Sequence, residues 1–203
     1  MCNEAYRRTQ IGRLREDWSE LRIPLCFPEG IPNFAPLDSI RITDRVEIIR
    51  AAAQAPGAAE MVTRRWSWPA PSGKPVYNFR SDGRRIDHAN RCLLPVDGFF
   101  EFTSPPPTPG QERKSKQPKS KWAFTLSGRP WFFIAGIWRN DAQVGEAWSM
   151  LTCPPGPDIA PYHDRQVVVL SPEQAGRWLD PMAAAAELCL PLPAGSLRVR
   201  QVR

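Results

Sequence analysis

Cys2 is the residue of this chain with the most distinctive chemistry. Removal of Met1 leaves an α-amine and a thiol on adjacent carbons, and reference pKa values of about 8 and about 8.5 keep a reactive fraction of each at neutral pH. Such a 1,2-aminothiol condenses with an aldehyde to an imine, and addition of the thiol closes a stable thiazolidine ring. The plainer alternative is a cysteine placed by chance in a frayed terminus. Three other positions have the chemistry to assist a nucleophile. His163, one of two histidines, sits in Ala160-Pro161-Tyr162-His163-Asp164-Arg165 ahead of an apolar run; it is either an acid/base group or a strand cap. Glu101 interrupts Gly98-Phe99-Phe100-Glu101-Phe102. Pointing inward it has a raised pKa and suits a general acid, but strand alternation allows it to face solvent equally well. Asn78 and Arg80 lie two apart in Tyr77-Asn78-Phe79-Arg80-Ser81, so an extended segment shows both on one face, while a turn-forming Asn is the simpler reading.

These residues need elements to hold them. Tyr6, Ile11, Leu14, Trp18 and Leu21 recur at spacings of three to five, which predicts an amphipathic helix over 4–22, ending before Pro24. Residues 41–49 and 61–68 are β-branched and alternating, and the Gly-Pro-Ala-rich segment 54–59 between them reads as a turn, so two antiparallel strands are predicted. Further strands are predicted at 91–96, 99–103, 121–126, 131–138, 147–152, 166–170 and 197–202. Ser171-Pro172-Glu173-Gln174 opens a helix through Trp178 with Ser171 as its N-cap. Segment 104–121 is rich in Pro, Lys, Ser and Gln and poor in apolar residues, and it is read as a long flexible loop within a hairpin. Strands outnumber helices, no internal repeat is present, and β and α elements do not alternate.

The length of 203 residues suits one domain, and 42% hydrophobic content with eight Trp and nine Phe supplies a core. No stretch approaches the roughly 18–20 apolar residues of a membrane span. A secretory signal is not expected, and five irregularly placed Cys make no disulfide or metal framework. A monomer with reduced thiols in the cytoplasm follows. A net charge of +6 and a pI near 9.4 favour a polyanionic partner such as nucleic acid. Arg beside aromatics, as in Arg64-Arg65-Trp66, Phe79-Arg80 and Trp138-Arg139, can neutralise phosphates and stack bases, or simply cap core strands.

In their order along nearly the whole chain, several blocks resemble the SRAP (SOS response-associated peptidase) family. They are Met1-Cys2, Asn33-Phe34-Ala35-Pro36, Arg65-Trp66, Asn78-Phe79-Arg80-Ser81, the run from Arg91 to Phe102, Ile134-Ala135-Gly136-Ile137-Trp138 and His163-Asp164-Arg165. The resemblance implies a single α+β domain over 1–203, with a curved, mainly antiparallel, barrel-like sheet and a few flanking helices. It implies a sensor of abasic sites in single-stranded DNA, associated with the nucleoid during repair. The aminothiol attacks C1′ of the ring-opened sugar and forms a thiazolidine crosslink that shields the lesion. On this chain Cys2 is then the nucleophile, Asn78 positions it, Glu101 and His163 move protons, and Arg80, Ser81, Trp66 and Arg165 contact DNA. No cofactor or metal is implied. The family name carries a second possibility, a cysteine-dependent peptidase acting on other chains or on its own N-terminus, and a non-catalytic single-strand binder is a third. Many members begin Met-Cys-Gly-Arg and follow the glutamate with Trp; here Asn3, Glu4 and Phe102 stand at those places, and the stretch from Ser81 to Arg91 is short enough to reduce a helix there to a turn at Gly83.

Overall fold

Apolar runs broken by turn residues fold into strands here, and several are covered on both faces. The computed structural model describes residues 2–104 and 118–203. In chain order its elements are β1 (Glu4–Arg7), α1 (Ile11–Ser19), β2 (Leu25–Cys26), β3 (Leu37–Arg41), β4 (Arg45–Ala51), β5 (Ala59–Trp66), β6 (Trp68–Pro69), β7 (Pro75–Val76), β8 (Asn78–Arg80), β9 (Arg91–Val96), β10 (Gly98–Thr103), β11 (Ser120–Leu126), β12 (Phe132–Asp141), β13 (Gly145–Cys153), β14 (Gln166–Val167), β15 (Val169–Leu170), α2 (Pro172–Leu179) and β16 (Leu197–Gln201).

β13, β12, β9, β4 and β5 pair antiparallel in that order, and β5 returns to β13 as a parallel neighbour through Ala147↔Arg65 and Trp148↔Trp66. The ring is closed, which removes the open edges of a flat sheet. Trp66 and Trp148 stack at the seam with centroids 5.5 Å apart. A second, antiparallel sheet runs β16-β11-β10-β1-β3. One core joins the barrel interior (Val46, Ile48, Val62, Leu94, Ile134, Met150) to Ala5, Ile40, Phe99 and Phe124 of the second sheet. The other joins the barrel's outer face (Ile49, Met61, Leu93, Phe133, Leu151) to Leu14 and Trp18 of α1 and Ala175, Trp178 and Leu179 of α2. Every residue of β9 is buried because successive side chains enter opposite cores, so the strand reads as a continuous run. The fold is α+β on antiparallel sheet, with few helices.

Several expectations are corrected. Residues 4–22 are not one helix: Glu4–Arg7 is a strand between β10 and β3, and α1 starts at Ile11. Only Leu14 and Trp18 keep the helical period as buried residues, because pairing on both sides overrides local propensity in the first segment. Arg7 is buried there, 2.8 Å from Glu47 and stacked 3.5 Å over Phe34. The strand expected over 41–49 is broken by a turn with Thr43 at φ 80°, where the Asp44 carboxylate accepts the Arg41 N–H. The strand expected over 166–170 divides at Val168, so that β14 pairs with β13 and β15 with β12. The Ser171 cap is present as a capping box with Gln174. A turn with Gly83 at φ 64° and a 3-10 turn at His88–Asn90 fill the short stretch before β9. The flexible loop predicted over 104–121 falls mostly outside the described residues, but its flanking strands β10 and β11 pair antiparallel.

β10 begins where a side chain does not fit. A Cβ on Gly98 would lie 2.5 Å from Tyr6 Cε1 and 2.6 Å from the Phe124 carbonyl oxygen, because the Tyr6 ring crosses this position. Gly98→Ala is therefore expected to cost about 1–3 kcal/mol through overpacking. Urea unfolding measures it; an unchanged midpoint would show that the Tyr6 ring and the Phe124 carbonyl both give way without penalty.

Candidate active site

Pairing of β1 on both sides fixes the segment that carries Cys2, whose residue is 1% exposed. Its thiol donates to the Glu4 carbonyl at 3.4 Å, and its own carbonyl accepts a 2.7 Å hydrogen bond from Asn78 Nδ2. Its backbone nitrogen is hydrogen-bonded to the Glu101 carboxylate. Burial, with a smaller addition from the Glu101 charge, pushes the thiol far above its ordinary pKa, so it is protonated at neutral pH.

Glu101 answers the question that alternation left open. Phe99 and Glu101 face inward while Phe100 and Phe102 take the opposite face, and Glu101 is 1% exposed across from Trp122. Burial raises its carboxyl to about 7. Tyr162 packs on Trp122 and Phe124 with centroids 4.8 and 5.3 Å away, which lays the next residue, His163, over the same strands. Burial lowers the His163 pKa, so the ring is neutral at pH 7. Its Nδ1 accepts the Arg165 backbone N–H at 3.0 Å, which leaves Nε2 to carry the proton. Asp164 Oδ1 also lies 2.7 Å from Nδ1, a contact that only a protonated Nδ1 satisfies. The Arg165 amide is fixed by the backbone whereas the Asp164 side chain is 83% exposed, so Nδ1 is the acceptor.

Asn78 comes from β8, which runs parallel to β13 with Asn78 opposite Met150 and Arg80 opposite Thr152. The Asn78 Oδ1 is buried and lacks a hydrogen-bond partner among the described residues. Arg80 is exposed. Ser81 is buried, donating its hydroxyl to the Thr152 carbonyl at 2.9 Å. Arg165 donates to that carbonyl at 2.7 Å and pairs with Asp82, an arrangement that anchors the His163 loop to β13. Trp66 is corrected: at 0% exposure, stacked on Trp148 and donating to the Tyr77 carbonyl, it has no face left for a base. Other basic and aromatic neighbours are also structural, since Arg64 bridges Glu29 and Glu146, and Arg139 lies over Trp68 and pairs with Asp141.

The sequence reading missed Lys121. It sits 2.8 Å from Glu4 and 3.8 Å over the Phe100 ring, with Phe102 at 5.7 Å. Burial opposes ionisation of Glu4, yet the hydrogen bonds from Lys121 and Ser39 outweigh it and hold that carboxyl below its ordinary value. The alternation of Ser120–Leu126 was the available signal. Among the described residues no cluster of three His, Cys, Asp or Glu has metal-site geometry, and no helix is long and apolar enough to cross a membrane.

As a class, this is a closed-barrel protein with a buried cysteine on the segment leading into β1 and a buried carboxylate on that cysteine's backbone nitrogen. Three solved bacterial proteins share the fold. One from Bacteroides thetaiotaomicron is 17% identical with a TM-score of 0.69, covering 100% of this chain and 92% of that one. One from Bordetella bronchiseptica is 21% identical with a TM-score of 0.69, covering 100% of both. A phage-related protein from Bordetella bronchiseptica is 20% identical with a TM-score of 0.69, covering 100% and 94%. Among curated proteins none matches. The chain belongs to the SOS response associated peptidase (SRAP) family, which it matches over residues 1–203. Membership makes it a DNA-damage-associated protein of the SOS response.

Proposed function

We propose that the protein captures abasic sites in single-stranded DNA through Cys2 after removal of Met1, forming a thiazolidine crosslink that shields the lesion. The observation that carries this reading is the hydrogen bond between the backbone nitrogen of Cys2 and the buried Glu101 carboxylate. Once Met1 is gone that nitrogen is the α-amine. The amine attacks C1′ of the ring-opened sugar and gives a carbinolamine. Glu101 in its acid form protonates the departing hydroxyl, which leaves as water, and an imine remains. The thiol then adds to the imine carbon while its proton passes to nitrogen. The protonated state of the buried thiol fits this order, amine first and sulfur second. Asn78 Nδ2 holds the Cys2 carbonyl, and its Oδ1 can accept from the carbinolamine hydroxyl or the ring N–H. No cofactor enters the scheme, because the aldehyde is the electrophile. Met-free protein mixed with a single strand bearing an abasic site should give a denaturation-resistant band, and its absence would reject the reading.

Arg80 is the proposed phosphate contact beside Asn78, being exposed on the same strand. Single-strand binding loses affinity with salt at a slope of about −0.7 per phosphate contact. Arg80→Ala should make that slope shallower by about one contact's worth, measured with a stable abasic analogue; an unchanged slope removes Arg80 from the interface. Peptidase action on the chain's own Met1–Cys2 bond is the second reading, favoured by the same contact, since Glu101 touches the leaving nitrogen of that bond.

A further inference from the structure

Two cavities adjoin beside α2 and share His88 and Pro181 along their common border. The first, about 570 Å³, lies between the β4–β5 turn and the C-terminal half of α2, and most of its lining is apolar, Ile23, Ala51, Ala58, Gly176 and Leu179 included. Gly176 widens it, since a Cβ there would already touch Ile23 Cδ1 at 3.4 Å. The second, about 390 Å³, is lined by Arg84, Arg85 and Asp87 on one side and by the turn after α2 on the other. Met182 belongs to that turn and is 88% exposed, more than any other large apolar side chain among the described residues. It is held out rather than loose. Its N–H donates to Asp180 Oδ1 at 2.8 Å, and the buried Arg91 guanidinium donates to the Trp178 and Asp180 carbonyls at 3.2 and 3.3 Å, which fixes the turn. Among the described residues Arg84, Arg85 and Asp180 form no ion pair, and Asp87 has only His88.

We propose that this trough is an interface between two copies of the chain, related by a two-fold axis near Pro181, in which the Met182 of each copy enters the apolar cavity of the other. A two-fold interface must carry a projection and its matching recess on one patch, because every contact is made twice. Met182 and the larger cavity meet that requirement, and an unbranched thioether adapts well to a recess lined by small residues. The cavity exceeds one methionine side chain, so it admits part of the turn as well. Charge complementarity points to the same occupant. Arg84 and Arg85 of one copy face Asp87 and Asp180 of the other, so arginines left without ion pairs in one chain acquire them in two. A polyanion is disfavoured, since Asp87 and Asp180 would lie against its phosphates. The fixed turn lowers the ordering lost on association. Cys2, Asn78, Glu101 and His163 line neither cavity, so the interface leaves the chemistry proposed above unobstructed and does not rest on it. The monomer expected from the sequence is then the dilute form.

The test is sedimentation velocity on the full-length chain over a dilution series, with far-ultraviolet circular dichroism confirming that each variant folds. The wild type should show a reversible equilibrium between monomer and dimer. Met182→Glu should weaken it at least about a hundredfold, because each buried methionine contributes about tenfold or more and a two-fold contact loses both. The exposure of Met182 lets the monomer tolerate that change. Arg84→Glu combined with Arg85→Glu should weaken the dimer, and so should Asp87→Lys, through repulsion of like charges. An equimolar mixture of these two variants should associate more tightly than either alone, since opposite charges then meet across the axis. A wild type that remains monomeric at about 1 mM would overturn the proposal, as would association that Met182→Glu leaves unchanged. Single-strand binding lost with Arg84→Glu and Arg85→Glu, in a wild type that never self-associates, would assign the trough to nucleic acid and overturn it too.

Discussion

Replacing Cys2 with Ala is expected to abolish the stable adduct with abasic single-stranded DNA altogether, while borohydride still traps an imine in the same variant. The two halves of the result separate the two nucleophiles. Position 2 keeps its α-amine in Cys2→Ala, so imine formation survives, but thiazolidine closure needs sulfur on the neighbouring carbon. Asn78 holds the main-chain carbonyl of residue 2 rather than its side chain, so Ala leaves the terminus in place. Intact-mass measurement with and without reductant distinguishes the products. A full yield of stable adduct from Cys2→Ala without reductant would reject the chemistry. A variant blocked at its α-amine but retaining the thiol should be equally silent.

Glu101→Gln should slow crosslinking by about 10²–10⁴-fold, the usual contribution of a positioned proton donor, without preventing it. The pH dependence has a definite sign. Glu101 must carry its proton and the α-amine must be neutral, so with values of about 7 and about 8 the wild-type rate should pass through a maximum between them and fall on the alkaline side. Gln removes that limb. The same group makes folding pH-dependent: its pKa rises from 4.5 to about 7 on folding, so the folded state holds this proton more tightly. Its stabilising contribution is complete below about 4.5 and is lost as pH climbs through about 7. Glu101→Gln should accordingly flatten the fall in melting temperature between pH 5 and pH 8. His163→Ala should also slow the reaction, by loss of a ring that burial favours in its neutral form. Normal rates in both variants would make the two residues structural. Robust cleavage of an unfolded protein by wild type, lost in His163→Ala, would promote the peptidase reading.

Much of this site was visible in the residues. Strand β9 and the capped helix α2 follow from an apolar run and a Ser-Pro-Glu-Gln opening, which are local signals. Glu101 was visible as a candidate but its direction was not, since aromatic residues flank it on both sides and only cross-strand register decides which face is inward. Trp66 was misread for a related reason. Its local neighbourhood, two arginines and then an indole, resembles a stacking surface, but closure of β5 on β13 comes from residues more than eighty positions away. Tyr6 misled the helix prediction because its spacing to Ile11 and Leu14 was counted without knowing that β10 and β3 would claim residues 4–7. Lys121 escaped notice because its partner, Glu4, lies at the other end of a long-range pairing.

The placement of β1 between β3 and β10 also bears on how the molecule is made. A strand that emerges first must wait for both neighbours, and the second of them ends at Thr103. At about 5–20 residues per second, translation needs about 5–20 seconds to supply those hundred residues. Throughout that interval Cys2 has neither Glu101 on its nitrogen nor a sheet around it. If Met1 leaves in that interval, the aminothiol is bare and open to any small aldehyde in the cell. Arrival of β10 brings Glu101 onto that nitrogen, so an aldehyde met before this point reacts without its proton donor and one met afterwards reacts with it.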